Sequence, residues 1–194
     1  APNAWALESD ERSLAVVVPG SRSLRRIDMS DFRIAQEVPL PAEATALVEV
    51  DGALWAGLSD GRLFAVDGVG DPPAVPLGEG PVRLVALDEG ALAVARSGDA
   101  AFLHAGRIAR HFRFPGRVAA IGFAALSDSG YALSEDGRTV WIAPRDAPEA
   151  VIEVALDRRM RSLATDPQGK WLALVSADGR AVAILDTRRQ RVRW

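Results

Sequence analysis

Ser59-Asp60-Gly61-Arg62 stands between two apolar runs, residues 53–58 and residues 63–66. Asp-Gly between such runs is a hairpin signal, because a tight turn needs a positive φ that glycine adopts cheaply. Similar punctuation returns at Pro19-Gly20-Ser21, Ser97-Gly98-Asp99, Glu135-Asp136-Gly137-Arg138 and Ala177-Asp178-Gly179-Arg180. The glycines at 20, 61, 98, 137 and 179 are separated by 41, 37, 39 and 42 residues. One turn of this kind carries little weight, but five at near-constant spacing predict a repeat architecture.

The flanks agree. A β-rich run precedes each glycine, at residues 14–18, 53–58, 91–95, 131–134 and 171–175, and a second run follows it. Inner strands fit residues 5–7, 44–50, 82–87, 118–125 and 161–165, and outer strands fit 34–38, 74–77, 108–114, 150–154 and 191–194. Glycine and proline interrupt the chain too often for amphipathic helices. Four short strands in about forty residues make one propeller blade. The chain is therefore predicted to be a single all-β domain, a β-propeller of about five four-stranded antiparallel blades. The blades fall approximately at 3–41, 42–80, 81–116, 117–159 and 160–194. Runs such as Ala91-Leu92-Ala93-Val94-Ala95 are apolar on both faces, as strands packed between neighbouring blades must be. Two closures fit this pattern: a five-bladed ring sealed by side-chain packing, or part of a six- to eight-bladed ring whose remaining blades lie elsewhere or in a second chain.

Particular segments resemble known blades. Leu163-Ala164-Thr165-Asp166-Pro167-Gln168-Gly169-Lys170-Trp171-Leu172-Ala173, with Ser176-Ala177-Asp178-Gly179 and Ile184-Leu185-Asp186, resembles a WD-repeat blade. Val16-Val17-Val18-Pro19-Gly20-Ser21, then Arg26-Ile27-Asp28 and a return to Val38-Pro39, is similar to the YVTN-type blade of bacterial extracytoplasmic propellers. The Gly-His dipeptide of WD repeats is missing, and Ile-Asp, Val-Asp or Leu-Asp replaces Trp-Asp. The resemblance implies a propeller that binds proteins; it does not carry over the polar bracing of true WD repeats.

Composition narrows the chemistry. The net charge of -3 provides no general field for nucleic acid, and no apolar run is long enough to span a bilayer. With no cysteine, disulfides, thiolate metal sites and cysteine nucleophiles are all excluded. Lys170 is the only lysine against 22 arginines, a bias that suggests GC-rich bacterial coding. The start at Ala1-Pro2 suits either a processed secreted protein or a fragment, so a periplasmic or extracellular location is expected, with the cytoplasm as alternative.

His104 falls where Asp67 ends its strand, and His111 is flanked by Arg110 and Arg113, so neither suggests a metal ligand. Glu49, Asp51, Asp88 and Asp128 are the inner-strand carboxylates that a five-bladed glycosidase would need, but all except Glu49 sit at strand ends beside glycine or a turn. The sequence thus predicts a non-catalytic protein-binding scaffold without cofactor or metal, an accessory component of a bacterial envelope complex. The alternatives are a small-ligand or carbohydrate-binding propeller or five-bladed glycosidase-like enzyme, and a propeller domain of a larger multidomain protein. Asp60, Arg62, Asp136, Arg138, Asp178 and Arg180 would share one face as a docking surface. Arg191, Arg193 and Trp194 form a second candidate, a docking edge on the last strand. Arg107, Arg110, Arg113 and Arg117, and likewise Arg188 and Arg189 with that strand, read as solvated outer faces that discourage edge pairing.

Overall fold

A computed structural model describes residues 4–7, 12–18, 20–67, 74–87, 89–166 and 168–193. Each repeat forms one four-stranded antiparallel sheet whose strands lie side by side in chain order. Blade 1 contains β1 (Ala4–Leu7), β2 (Ser13–Val17), β3 (Ser23–Asp28) and β4 (Ile34–Pro39). Blade 2 contains β5 (Ala44–Val50), β6 (Ala53–Leu58), β7 (Arg62–Ala65) and β8 (Val75–Pro76). Blade 3 contains β9 (Val82–Leu87), β10 (Gly90–Ala95), β11 (Asp99–His104) and β12 (Arg107–Arg113). Blade 4 contains β13 (Val118–Ala124), β14 (Ser129–Ser134), β15 (Thr139–Pro144) and β16 (Ile152–Ala155), with a 3₁₀ turn at Ala125–Ser127. Blade 5 contains β17 (Met160–Thr165), β18 (Trp171–Ser176), β19 (Val182–Asp186) and β20 (Arg191–Arg193).

The recurring glycines behave as their spacing requires. Gly61, Gly98, Gly137 and Gly179 have φ of 90°, 101°, 73° and 71°. In each of these turns the glycine N–H donates to the carbonyl three residues earlier, from Leu58, Ala95, Ser134 and Ser176 respectively. Asp60, Asp136 and Asp178 do not share the positive φ. In blades 2 and 3 the turn is a three-residue loop that ends on a left-handed glycine, and in blades 4 and 5 it runs one or two residues beyond the glycine. Where an aspartate is present it occupies an ordinary turn position before the glycine.

Four apolar clusters fill four seams between blades. Ala15, Val17 and Leu24 of blade 1 meet Ala44, Leu54 and Leu58 of blade 2. Val48, Trp55 and Leu63 of blade 2 meet Ala91, Ala93 and Leu103 of blade 3. Leu92, Val94 and Phe102 then meet Ala132, Trp141 and Ala143 of blade 4, and Tyr131, Leu133 and Ile142 meet Leu172, Leu174 and Leu185 of blade 5. Links of four or five residues (40–43, 77–81, 114–117 and 156–159) join each blade to the next. The inner strands β1, β5, β9, β13 and β17 pack on one another in that order.

Of the two closures the sequence leaves open, packing of blade 5 directly onto blade 1 is not observed among the described residues. Among these residues, β1 and β17 do not share the extensive contact that joins every pair of successive inner strands. In β10 and β14 every residue is buried, whereas burial alternates along β18. Register places Trp171, Ala173, Val175, Val182 and Ile184 on one face of blade 5, opposite the face that holds Leu172, Leu174 and Leu185. The same reasoning puts Trp5, Leu14, Val16 and Ile27 on the outward face of blade 1. Trp5 is 65% exposed and Val182 54% exposed, values foreign to a sealed seam. The five blades form an arc with an uncovered apolar face at each end.

Candidate functional site

The turns between the second and third strands of each blade lie against the links that enter the blades. The residue after the second strand donates its N–H to the last link carbonyl in four blades: Ser59 to Glu43 (2.8 Å), Arg96 to Pro81 (3.1 Å), Glu135 to Arg117 (2.7 Å) and Ala177 to Arg159 (2.9 Å). This repeated bond places turns and links on one face of the arc, termed the turn face below. Asp60, Arg62, Asp136, Arg138, Asp178 and Arg180 all stand there, as their positions in the repeat require.

Their chemistry differs from blade to blade. Arg62 pairs with its own turn, Nε and Nη2 donating to Asp60 Oδ2 at 2.8 and 2.5 Å. Asp136 Oδ1 accepts from Ser134 Oγ at 2.6 Å and from the Arg138 N–H at 2.9 Å. Asp178 Oδ1 accepts from Ser176 Oγ at 2.5 Å and from the Arg180 N–H at 3.0 Å. These hydroxyl and amide donors hold both carboxyls below the usual carboxylate range, with nearby arginines adding to the effect. Both aspartates therefore build the turn, while the Arg138 and Arg180 side chains remain exposed.

Between blades 4 and 5 the turn face holds a groove of about 460 Å³ lined by Arg138, Asp157, Arg158, Arg159, Ala177 and Asp178. Arg161 extends to it over the last turn, its Nη2 being 3.6 Å from a Cβ built at Gly179. All five arginines, Arg138, Arg158, Arg159, Arg161 and Arg180, are exposed. Arg138 Nη1 donates to the Asp157 carbonyl at 3.3 Å. Elsewhere arginines commonly reach a carboxylate: Arg25 with Glu37, Arg26 with Asp67, Arg113 with Asp99, and Arg96 and Arg117 with Glu135. The groove concentrates arginines beside Asp157 and Asp178, and the Asp178 carboxylate is already committed to a serine hydroxyl and a backbone amide.

Sequence reasoning did not select Arg158, Arg159 and Arg161; the signal was the basic run in the link Asp157-Arg158-Arg159-Met160-Arg161. It also missed Glu135, which accepts from Arg96 across the seam between blades 3 and 4 and lies 3.2 Å from Arg117 Nε. Arg117 accordingly belongs to the turn face and not to the outer strand, in contrast to Arg107, Arg110 and Arg113 on β12. Arg191 and Arg193 pair with Asp186 and Ile184 in register and so lie on the uncovered face of blade 5. Trp194 falls outside the described residues.

Among the described residues, the inner-strand carboxylates Glu49, Asp51 and Asp128 do not converge on one another. Glu49 shares a face of β5 with Leu47, toward blade 1. Asp51 Oδ2 accepts the Ala105 N–H at 2.7 Å, and Asp128 takes a left-handed φ of 42° with Arg145 at 3.7 Å. Asp88 falls outside the described residues. His104 ends β11 with Nδ1 3.2 Å from the Glu89 carbonyl, and His111 is exposed on β12. No group of three or more metal-ligating side chains occurs among the described residues.

Solved structures with this arrangement are propellers. All of the chain matches the β-propeller domain of Myceliophthora thermophila Cps50 (Swd1) with a TM-score of 0.71 and 13% identity, spanning 72% of that domain. A second match, to the Neurospora crassa Pan2 WD40 domain, has a TM-score of 0.66 and 9% identity over 88% of this chain and 58% of that one. The fold is a β-propeller arc. The arc also matches the dihydro-haem d1 dehydrogenase NirN, solved in complex with DHE, with a TM-score of 0.74 and 18% identity over 94% of this chain and 43% of that one. At these identities the likeness is one of fold. No family model matches the sequence, and no curated protein matches it.

Proposed function

We propose that this propeller arc is a non-catalytic docking module whose turn face receives an acidic segment of a protein partner. The observation that carries the reading is the groove between blades 4 and 5. Arg138, Arg159, Arg161 and Arg180 have no carboxylate within salt-bridge distance among the described residues, while Asp136 and Asp178 are occupied in their own turns. Guanidinium groups present planar forks that match carboxylates, so aspartate and glutamate side chains are the natural complement. A nucleic-acid strand would want stacking aromatics beside the cations, and none lines this groove. WD40 domains among the structural matches support a propeller that works by binding.

The arginine-rich, lysine-poor composition and the YVTN-like first repeat support a bacterial accessory subunit of an envelope complex, acting in the periplasm or outside the cell. The binding test is fluorescence anisotropy with a labelled ten-residue polyglutamate peptide at low and physiological salt. Saturable binding is expected, weakened at least about tenfold by Arg138→Ala/Arg159→Ala/Arg161→Ala and unaffected by Arg33→Ala on blade 1. Equal binding by the triple variant, or preference for a single-stranded oligonucleotide over the peptide, contradicts the reading.

A further inference from the structure

Toward their inner and middle strands the two uncovered faces have the composition of seams, with Arg25 on the third strand of blade 1 and Arg191 and Arg193 on the outer strand of blade 5. Trp171, Ala173, Val175, Val182 and Ile184 form an apolar patch on blade 5, as Trp5, Leu14, Val16 and Ile27 do on blade 1. Blades 2, 3 and 4 carry apolar residues on both faces of their middle strands and bury both. Blades 1 and 5 carry them on both faces and bury one. Exposed patches of this kind mark contact surfaces. Here the contact they continue is the one repeated at every seam between blades.

The arc also sets the size of what covers them. Five blades fill 72% of the Cps50 propeller domain, so on that scale the remainder holds about two blades of equal size, within the range of four to eight blades found in propellers. A second copy of this chain brings five blades and cannot enter such a gap. We propose that the two end faces are closed by two further four-stranded blades of the same polypeptide, one packed on the Trp5 face, the other on the Val182 face. The links that join successive blades, four or five residues on the turn face, are the connection such blades would use.

The chain has no cysteine, so introduced cysteines report burial cleanly. Trp5→Cys, Ala164→Cys and Val182→Cys are labelled with a maleimide in two contexts: the 194-residue chain and the natural-length polypeptide expressed from its own gene. Rapid labelling is expected in the 194-residue chain. In the natural polypeptide labelling slows at least about tenfold, and limited proteolysis leaves a protected core about 80 residues longer than this chain, two blades of roughly forty each. Ala164→Cys, a change between two small residues at an exposed position, keeps the test valid if the larger substitutions disturb folding. Equal labelling in both contexts overturns the proposal. So does a natural polypeptide of no more than 194 residues, or protection that appears only when the 194-residue chain dimerises or when a separate subunit binds.

Discussion

Thr45 Oγ1 lies 2.6 Å from the carbonyl oxygen of Val82, a side-chain hydrogen bond that crosses from the inner strand of blade 2 to that of blade 3. Gly57 lies beneath it: a Cβ built there would stand 2.7 Å from the same oxygen. The seam is closed at this point by a polar contact that depends on the absence of a side chain opposite. Gly57→Ala is expected to push the two blades apart and to cost about 1–3 kcal/mol, as overpacking generally does. Thr45→Val leaves the Val82 carbonyl without its donor and is expected to cost about 1–2 kcal/mol. Urea titration checks both; a midpoint unchanged for Gly57→Ala would show that the seam is looser than described.

Burial predicts a contrast between central and terminal blades. Leu92 is fully buried between blades 3 and 4, and Leu92→Ala is expected to cost about 2–5 kcal/mol. Val182→Ala, on the uncovered face, is expected to change stability by no more than about 0.5 kcal/mol in the 194-residue chain. Thermal or urea unfolding of the two variants measures the difference. Similar losses at both sites would mean that Val182 is packed in solution.

The turn aspartates predict an acid limb in the stability profile. Ser134 and the Arg138 amide hold Asp136 below the ordinary carboxylate range, and Ser176 and the Arg180 amide do the same for Asp178. A carboxyl whose folded pKa is depressed binds its proton more weakly in the folded chain. Its contribution is complete above the unfolded pKa, about 4, and is lost as pH falls through the lower folded value. Asp136→Asn/Asp178→Asn keeps an acceptor at each turn but removes the charge. The difference in urea midpoint between pH 7 and pH 3 should therefore be smaller for this double variant than for the parent chain. An identical difference would show that the acid sensitivity arises elsewhere, for instance at Asp28, Asp60 or Asp186, which are also depressed.

Much of this architecture was legible because it is local. A glycine every forty residues reports a backbone conformation that the residue itself determines, and Gly61, Gly98, Gly137 and Gly179 all have the positive φ their spacing implied. The inner strands at 44–50 and 82–87 were equally clear, being bounded by turn residues on both sides. Two features were not legible. Val175 and Val182 read like core residues in any blade, because hydrophobicity describes what a face requires and not whether a neighbour is present. The arginine groove depends on Arg161 extending over the turn at Gly179, a contact between residues 18 positions apart that no periodicity encodes. Of the charged turn residues singled out by pattern, the structure separates Arg62, already paired with Asp60, from Arg138 and Arg180, which remain available on the turn face.

The openness of the arc is tested most directly by a distance across the gap. Arg25 on β3 and Val182 on β19 lie on the two uncovered faces. Arg25→Cys/Val182→Cys, spin-labelled in the 194-residue chain, is measured by double electron–electron resonance. Faces packed together are about 10 Å apart, so a gap wide enough for two blades corresponds to about 30 Å. A distribution centred near 30 Å is the expected result. One centred between about 10 and 15 Å would mean that blades 1 and 5 meet, and that the five blades close into a ring of their own.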